Sequence, residues 1–173
     1  IYNIMLSITF PTVSPILLEF GPIAIRWYSL AYIFGFIFAW KYIQHLISQG
    51  KRISFNHEIK SKDVDDIIFY GVIGIILGAR LGYVLFYNFS YYINEPLKIL
   101  HVWEGGLSFH GGLMGIIFTT YLFSRIKNFS FLTITDLICA SAPVGLFLGR
   151  ISNFINAELY GRKTDVFIGV VFP

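Results

Sequence analysis

The sequence predicts an all-α protein, a polytopic transmembrane helical bundle with about four spans. Of its 173 residues, 55% are hydrophobic and only 13% are charged, whereas a soluble domain carries about a quarter of charged residues. Its mean hydropathy is +0.67. The apolar residues fall into four long blocks separated by short polar stretches, a profile that is typical of helical membrane proteins.

Each block is close to the ~20 residues that a helix needs to cross a bilayer. The predicted spans cover about 22–43, 66–87, 106–123 and 132–152. Pro22 suits the first turn of the first span, because its missing N–H costs nothing there. The third block is the shortest and contains glycine pairs, which makes it the weakest of the four spans. The stretch 11–20 is too short to cross, so we expect it to lie along the interface or pack on the bundle.

The distribution of basic residues predicts the orientation, because short cytoplasmic loops are enriched in lysine and arginine. The connection between the second and third spans carries only Lys98. The other two connections carry Lys41, Lys51, Arg52, Lys60 and Lys62, and Arg125 and Lys127. We therefore expect the first and third connections in the cytoplasm, and the amino end and the residues after 152 on the outer side.

The cysteine count, the net charge and the glycine spacing limit the kinds of site and partner that the chain can have. The single Cys139 excludes an internal disulfide and a multi-cysteine metal site. The net charge of +3 is slight, and we expect no nucleic-acid partner. The second block carries Gly71, Gly74, Gly78 and Gly82 at intervals of three or four residues. This spacing favours close approach of a neighbouring helix.

Arg80 lies well inside the second apolar block. An arginine at this depth needs a carboxylate, backbone carbonyls, water or a bound anion. Two interpretations stay open at this point, a structural ion pair and an anion-binding site.

His110 and Tyr28 are further polar candidates. His110 lies between two glycine pairs, which permit unusual backbone geometry and close approach of a ligand. Histidine is also the side chain best suited to proton transfer near neutral pH. The alternatives are a hydrogen-bonded structural histidine and, for Tyr28, a residue of the interfacial aromatic belt.

The most unusual segment is Gly149–Gly161, in which Arg150, two asparagines and Glu158 follow an apolar run. Ionisable groups at membrane depth are costly and mark functional sites. If the helix continues, Arg150, Asn153 and Asn156 share a face, with Glu158 roughly on it. An arginine can hold a phosphate through a planar fork of donors, and asparagines can donate to the same group. The alternative is a polar network that only packs helices.

The segment Gly149–Gly161 resembles the signature of the prolipoprotein diacylglyceryl transferase family. Three shorter segments are similar to the same family, in the family's order and at compatible spacings. They are Ile25–Tyr28, Gly78–Asn88 and Gly105–Gly112. The resemblance extends from about residue 10 to residue 161.

The resemblance implies an integral enzyme of the bacterial cytoplasmic membrane. Its partners would be phosphatidylglycerol, the lipobox segment of a prolipoprotein and membrane lipid, and it would move the diacylglyceryl group onto the lipobox cysteine thiol. It also implies a head region on the outer side. The chain then divides into a bundle over 1–152 and, over 153–173, the end of the signature with the start of that head. No metal or redox cofactor is suggested.

The matched motifs imply roles for individual residues. His110 falls on the proposed general base, Tyr28 on an essential tyrosine, and Glu158 on a functional position that we include with these two as catalytic. The predicted binding residues for phosphatidylglycerol are Arg150, Asn153, Asn156, Gly161 and Arg80. Family members are longer and continue into further helices with another arginine. We therefore expect the site to be incomplete in this chain and the chain to be inactive alone.

Two other classes of function remain open. A lipid or ion transporter would use its intramembrane arginines to bind headgroups, but it would give His110 no role. A structural membrane subunit would use the same polar groups only to join helices.

Overall fold

The computed structural model describes residues 6–11, 13–21, 23–49, 58–163 and 168–173. The described part is mainly helical, as predicted. Its α-helices are α1 Trp27–Ser48, α2 Ser61–Phe86, α3 Phe89–Asn94, α4 Phe109–Lys127 and α5 Phe131–Ile155. Two short 3₁₀ helices, Pro96–Leu100 and Val102–Glu104, lie between α3 and α4.

The described residues also form four short strands, which an all-α prediction does not include. They are β1 Leu6–Thr9, β2 Ile16–Phe20, β3 Ile23–Arg26 and β4 Ile168–Val171. β1 pairs in parallel with β4, and β2 pairs antiparallel with β3. The short stretch that was expected at the interface or on the bundle thus supplies strand β2.

The predicted start of the first span was wrong. The helix begins at Trp27 rather than near residue 22, because Ile23–Arg26 forms β3 against β2. Backbone hydrogen bonds in this hairpin replace those of a first helical turn. Pro22 itself lies outside the described residues. At the other end α1 continues to Ser48, beyond the predicted residue 43.

Three described helices, α1, α2 and α5, are long and apolar enough to cross a membrane. This makes the chain a membrane protein. The 19-residue α4 does not reach the same hydropathy, since it contains a histidine, several glycines and Arg125. The bounds of the other helices differ from the prediction by a few residues. In α2, polar residues from Ser61 onward extend the helix before the apolar block that predicted residue 66 as its start.

The chain divides into two compact units, residues 1–38 with 142–173 and residues 39–141. The first unit contains both small sheets, the start of α1 and the end of α5. The second contains α2, α3, α4 and the connections between them. This division differs from the predicted one at residue 152, which rests on the resemblance and stays a prediction.

Helices α2 and α4 pack closely in the second unit through small residues. A Cβ added to Gly82 would lie 2.7 Å from the Cα of Gly111, and one added to Gly74 would lie 2.9 Å from the carbonyl oxygen of Gly115. Distances this short leave no room for a side chain. The predicted role of the glycine spacing in helix packing is confirmed.

The hydrophobic core of the second unit surrounds one end of these helices. Its fully buried residues include Ile43, Ile59, Val64, Ile134 and Leu137. Polar contacts accompany this core. The indole N–H of Trp40 donates to Asp65 at 2.7 Å. The Lys127 ammonium at the end of α4 donates to Asp63 and Asp66 of α2 at 3.1 and 2.9 Å.

Candidate functional site

A hydrogen-bonded polar cluster lies in the first unit, where α1 begins and α5 ends. The Nδ2 group of Asn153 donates to the hydroxyl oxygen of Tyr28 at 3.2 Å and to Oε1 of Glu158 at 3.0 Å. Asn156 donates to the same carboxylate oxygen at 3.3 Å. Asn153 is buried, with 7% of its surface exposed, whereas Glu158 is exposed. Four of the predicted site residues therefore form one network.

The backbone turn after α5 brings Glu158 back to this cluster. The helix ends at Ile155, and Ala157 and Leu159 have positive φ angles of 53°. The Glu158 amide donates to the Asn153 carbonyl at 3.0 Å and closes the turn. A continuous helical face from Arg150 to Glu158, the arrangement considered from the sequence, is therefore not formed. The carboxylate reaches Asn153 because two non-glycine residues adopt left-handed backbone conformations, which are uncommon.

This arrangement sets the donors and acceptors of the cluster. Both N–H bonds of the Asn153 amide are used, one on Tyr28 and one on Glu158. The Tyr28 oxygen accepts from Asn153, and the same hydroxyl shares a side-chain hydrogen bond with Tyr32. Glu158 orients two asparagines at once. The cluster can thus present a hydroxyl and an amide carbonyl in fixed positions next to a carboxylate.

Arg150 lies on α5, one helical turn before Asn153, and is exposed. Within the described ranges its guanidinium has no hydrogen-bond or ion-pair partner in the protein, so its five donors are available to a ligand. Gly161 follows the turn, and a Cβ added there would meet no atom within 4 Å. No packing requirement therefore explains this glycine among the described residues.

His110 is the second residue of α4, in the other compact unit. Its side chain is exposed and contacts the ring of Phe109, with 5.6 Å between ring centroids. Ser108 caps the helix, because its hydroxyl accepts from the Gly111 amide at 3.2 Å. The structure thus holds the start of α4 firmly and leaves the imidazole accessible for proton transfer.

The two glycine pairs beside His110 have different roles. Gly105 and Gly106 have φ angles of +87° and +75°, which confirms the unusual backbone geometry expected there. Gly111 instead contacts α2, where a Cβ would lie 2.9 Å from the Cα of Gly82. The close approach at the second pair is therefore made by a helix.

Arg80 is almost completely buried, with 3% of its surface exposed. Its guanidinium donates five hydrogen bonds to backbone carbonyls. The acceptors are Lys98, Ile99, His101, Gly105 and Gly106. The structure provides backbone carbonyls as partners, which corresponds to neither the ion pair nor the anion-binding site considered from the sequence. All five N–H bonds of the side chain are occupied, so none remains for a phosphate.

Sequence reasoning missed Ser108 as a residue that positions the site. Its amide donates to the Ala79 carbonyl at 2.9 Å, and its hydroxyl caps α4. The signal was present, because serine directly before an apolar block is a preferred helix cap. Nothing in the local sequence indicated that the Ala79 carbonyl would accept from the Ser108 amide.

Taken together, the fold and these polar groups define a helical membrane protein with a hydrogen-bonded carboxamide–carboxylate cluster. The family model described as "Prolipoprotein diacylglyceryl transferase" matches residues 15–173. The chain belongs to this family.

Curated relatives agree with this assignment. The chain is 50% identical over 165 residues to the phosphatidylglycerol–prolipoprotein diacylglyceryl transferase of Rickettsia akari (strain Hartford). It is 47% identical to the protein of the same name from Rickettsia bellii (strain OSU 85-389). These matches cover 95% of this chain but only 62% and 61% of the relatives. The chain thus spans about three fifths of the length of the curated relatives it matches.

Proposed function

We propose that the protein represented by this chain transfers the diacylglyceryl group of phosphatidylglycerol to the lipobox cysteine thiol of a prolipoprotein. The family assignment supports the reaction. The structural observation that supports it is a contrast near Asn153. The hydrogen-bonded cluster lies one helical turn from Arg150, which has no partner among the described residues. A free guanidinium suits the phosphate of the lipid headgroup.

In this reaction the cysteine sulfur attacks the glycerol carbon that bears the phosphate. A carbon–sulfur bond forms, the carbon–oxygen bond to phosphate breaks, and glycerol phosphate leaves with the bonding electrons. The thiol must first lose its proton, because the thiolate is the nucleophile. His110 is the proposed acceptor of this proton, and its exposed position at the start of α4 supports that role.

Negative charge develops on the departing phosphate, and preorganised donors stabilise it. Arg150 is the proposed main donor. Tyr28 is the proposed second donor, because Asn153 holds its hydroxyl beside the Glu158 carboxylate. We assign Glu158 to the orientation of Asn153 and Asn156. Gly161 is proposed to leave space beside the turn for the bound lipid.

The transporter alternative receives less support from the structure. It requires intramembrane arginines that are free to bind passing headgroups. Arg80 does not meet this requirement, since backbone carbonyls take all five of its donors.

Transfer of labelled diacylglyceryl from phosphatidylglycerol to a lipobox peptide tests the proposal in the full-length enzyme. Loss of a general base lowers turnover by roughly 10²–10⁴-fold, so we expect His110→Ala to fall in this range. Arg150→Ala should lower it by roughly 10²–10³-fold, as for other transition-state donors. His45→Ala and Arg125→Ala are matched controls at exposed positions. Undiminished transfer by either site variant would overturn its assigned role.

We further propose that the protein lies in the bacterial cytoplasmic membrane, with its amino end and the residues after 152 on the outer side. The basic residues of the first and third connections support this orientation. Single cysteines at Tyr160 and Lys127, introduced after Cys139→Ser, provide the test. A membrane-impermeant maleimide should label the first in intact spheroplasts and the second only after lysis. The reverse pattern would invert the orientation.

A further inference from the structure

We propose that Arg80 is a positioning residue, whose guanidinium holds the connection between α3 and α4 and thereby places His110. This differs from the headgroup-binding role predicted from the sequence. The kinetic part of the inference rests on the proposed transferase function, whereas its structural part does not.

The five hydrogen bonds of Arg80 span the whole connection. Nε donates to the Ile99 carbonyl at 2.9 Å, and Nη2 donates to those of Lys98 and His101 at 2.6 and 3.1 Å. Nη1 donates to Gly105 at 2.5 Å and to Gly106 at 3.1 Å. These carbonyls lie in or beside two short 3₁₀ helices. Those of Lys98 and His101 also accept from the backbone amides of His101 and Glu104. One side chain on α2 thus satisfies acceptors along nine consecutive residues.

Rings complete the surroundings of the guanidinium. The Tyr92 ring lies 5.1 Å from its central carbon, a distance suited to a cation–π contact. A Cβ added to Gly106 would lie 2.6 Å from the Tyr83 ring and 3.1 Å from Nη1 of Arg80. Only a glycine therefore allows the backbone to approach the arginine this closely.

The fixed connection leads directly into α4. Two residues after Gly106, the Ser108 amide donates to the carbonyl of Ala79, the neighbour of Arg80 in α2. The Ser108 hydroxyl then caps the helix in which His110 is the second residue. Adjacent residues of α2 thus hold the connection by a side chain and the helix start by a backbone carbonyl. Displacement of the connection would displace the imidazole.

Lysine cannot replace arginine in this role. Its ammonium carries three donors at a single point, whereas the five carbonyls surround a planar fork. Arg80→Lys would leave carbonyls unpaired in a buried place, and each unpaired group is costly. A conservative charge-preserving variant should therefore behave like a neutral one.

The test compares Arg80→Lys, Arg80→Gln and Gly106→Ala in the full-length enzyme. Gly106→Ala displaces the backbone from Arg80 and keeps the arginine itself. Glu104→Gln is the matched control, since it removes only the exposed ion pair of the same connection. The measurements are kcat and KM for phosphatidylglycerol, together with hydrogen exchange at the Ser108 amide.

We expect all three variants to lower kcat by about a hundredfold, the effect of a misplacement of about 1 Å. The KM for phosphatidylglycerol should stay unchanged, and exchange at Ser108 should become faster as the connection opens. The control should match the wild type in kcat and KM, and its exchange at Ser108 should increase less than in the three variants.

A raised KM with unchanged kcat and unchanged exchange in Arg80→Lys would overturn the inference in favour of headgroup binding. If the Arg80 variants fail to fold, Gly106→Ala provides the test. Normal kcat and normal exchange in that variant would overturn the positioning role of Arg80. If the wild-type enzyme shows no transfer, the proposed function fails, but hydrogen exchange at the Ser108 amide still tests the positioning role of Arg80. Unchanged protection of Ser108 in Arg80→Gln would then refute the positioning role.

Discussion

Nδ2 of Asn153, near the end of α5, lies 3.2 Å from the hydroxyl oxygen of Tyr28, at the start of α1, although 125 residues separate them. The same amide group donates to Glu158. One buried carboxamide thus joins a tyrosine and a carboxylate that are both predicted site residues.

Asn153→Asp should strongly lower transfer activity. It replaces an amide that donates twice with a carboxylate, and places that carboxylate beside Glu158, where like charges repel. Asn156→Asp is the matched comparison, because its bond to Glu158 is longer, at 3.3 Å, and its residue is less buried. Initial rates and thermal unfolding in detergent provide the measurement. Equal losses in both variants would contradict the bridging role of Asn153.

Arg150→Gln should lower activity without lowering stability. Within the described part of the chain the guanidinium of Arg150 has no partner, so its removal breaks no bond in the protein. Arg80→Gln should lower both, because five carbonyls of the connection lose a donor from a buried guanidinium. The melting temperatures and initial rates of the two variants form the comparison. A large stability loss in Arg150→Gln would refute the prediction.

Gly82→Ala should destabilise the packing of α2 on α4 by about 1–3 kcal/mol, the usual cost of overpacking. The new Cβ would lie 2.7 Å from the Cα of Gly111, which is backbone and cannot move aside alone. Gly71→Ala is the control in the same helix, where the nearest atom is a flexible Ile116 methyl at 3.6 Å. Reversible unfolding in detergent compares the two. If the Gly71 variant is as unstable as the Gly82 variant, the close contact between Gly82 and Gly111 does not explain the loss of stability.

Acid should loosen the connection before α4 through Glu104. The hydrogen bond from Lys98, followed by that from His101, lowers the pKa of Glu104 below its usual 4.5. Because the folded-state pKa is the lower one, the stabilisation is present above pH 4.5 and is lost as the pH falls through the folded value.

Limited proteolysis within residues 95–107 should therefore accelerate below pH 4.5 when measured with an acid-active protease. Glu104→Gln removes the titrating group, so cleavage of that variant should show a weaker dependence on pH. An identical acid dependence in the variant would show that another group is responsible.

Much of the fold could be predicted from local patterns. Apolar blocks of about 20 residues predicted the membrane helices, since hydrocarbon thickness sets their length. The spacing from Gly71 to Gly82 predicted a close helix contact, because residues three and four apart share a face. The start of the first span could not be predicted this way. Its residues 23–25 are apolar and suit a helix, but pairing with β2 places them in a strand together with Arg26.

The candidate site likewise combines features that the sequence predicts with features that only the tertiary structure decides. The sequence alone determined the family, the apolar helices and the identity of the polar residues, because these depend on residue type and local spacing. Only the tertiary structure decided that Arg80 binds five carbonyls while Arg150 finds no partner in the described part of the chain. It also decided that a left-handed turn returns Glu158 to Asn153. The reason is physical. A buried donor is satisfied by whichever acceptor folding brings within about 3 Å, and for Arg80 those acceptors lie 18 to 26 residues away.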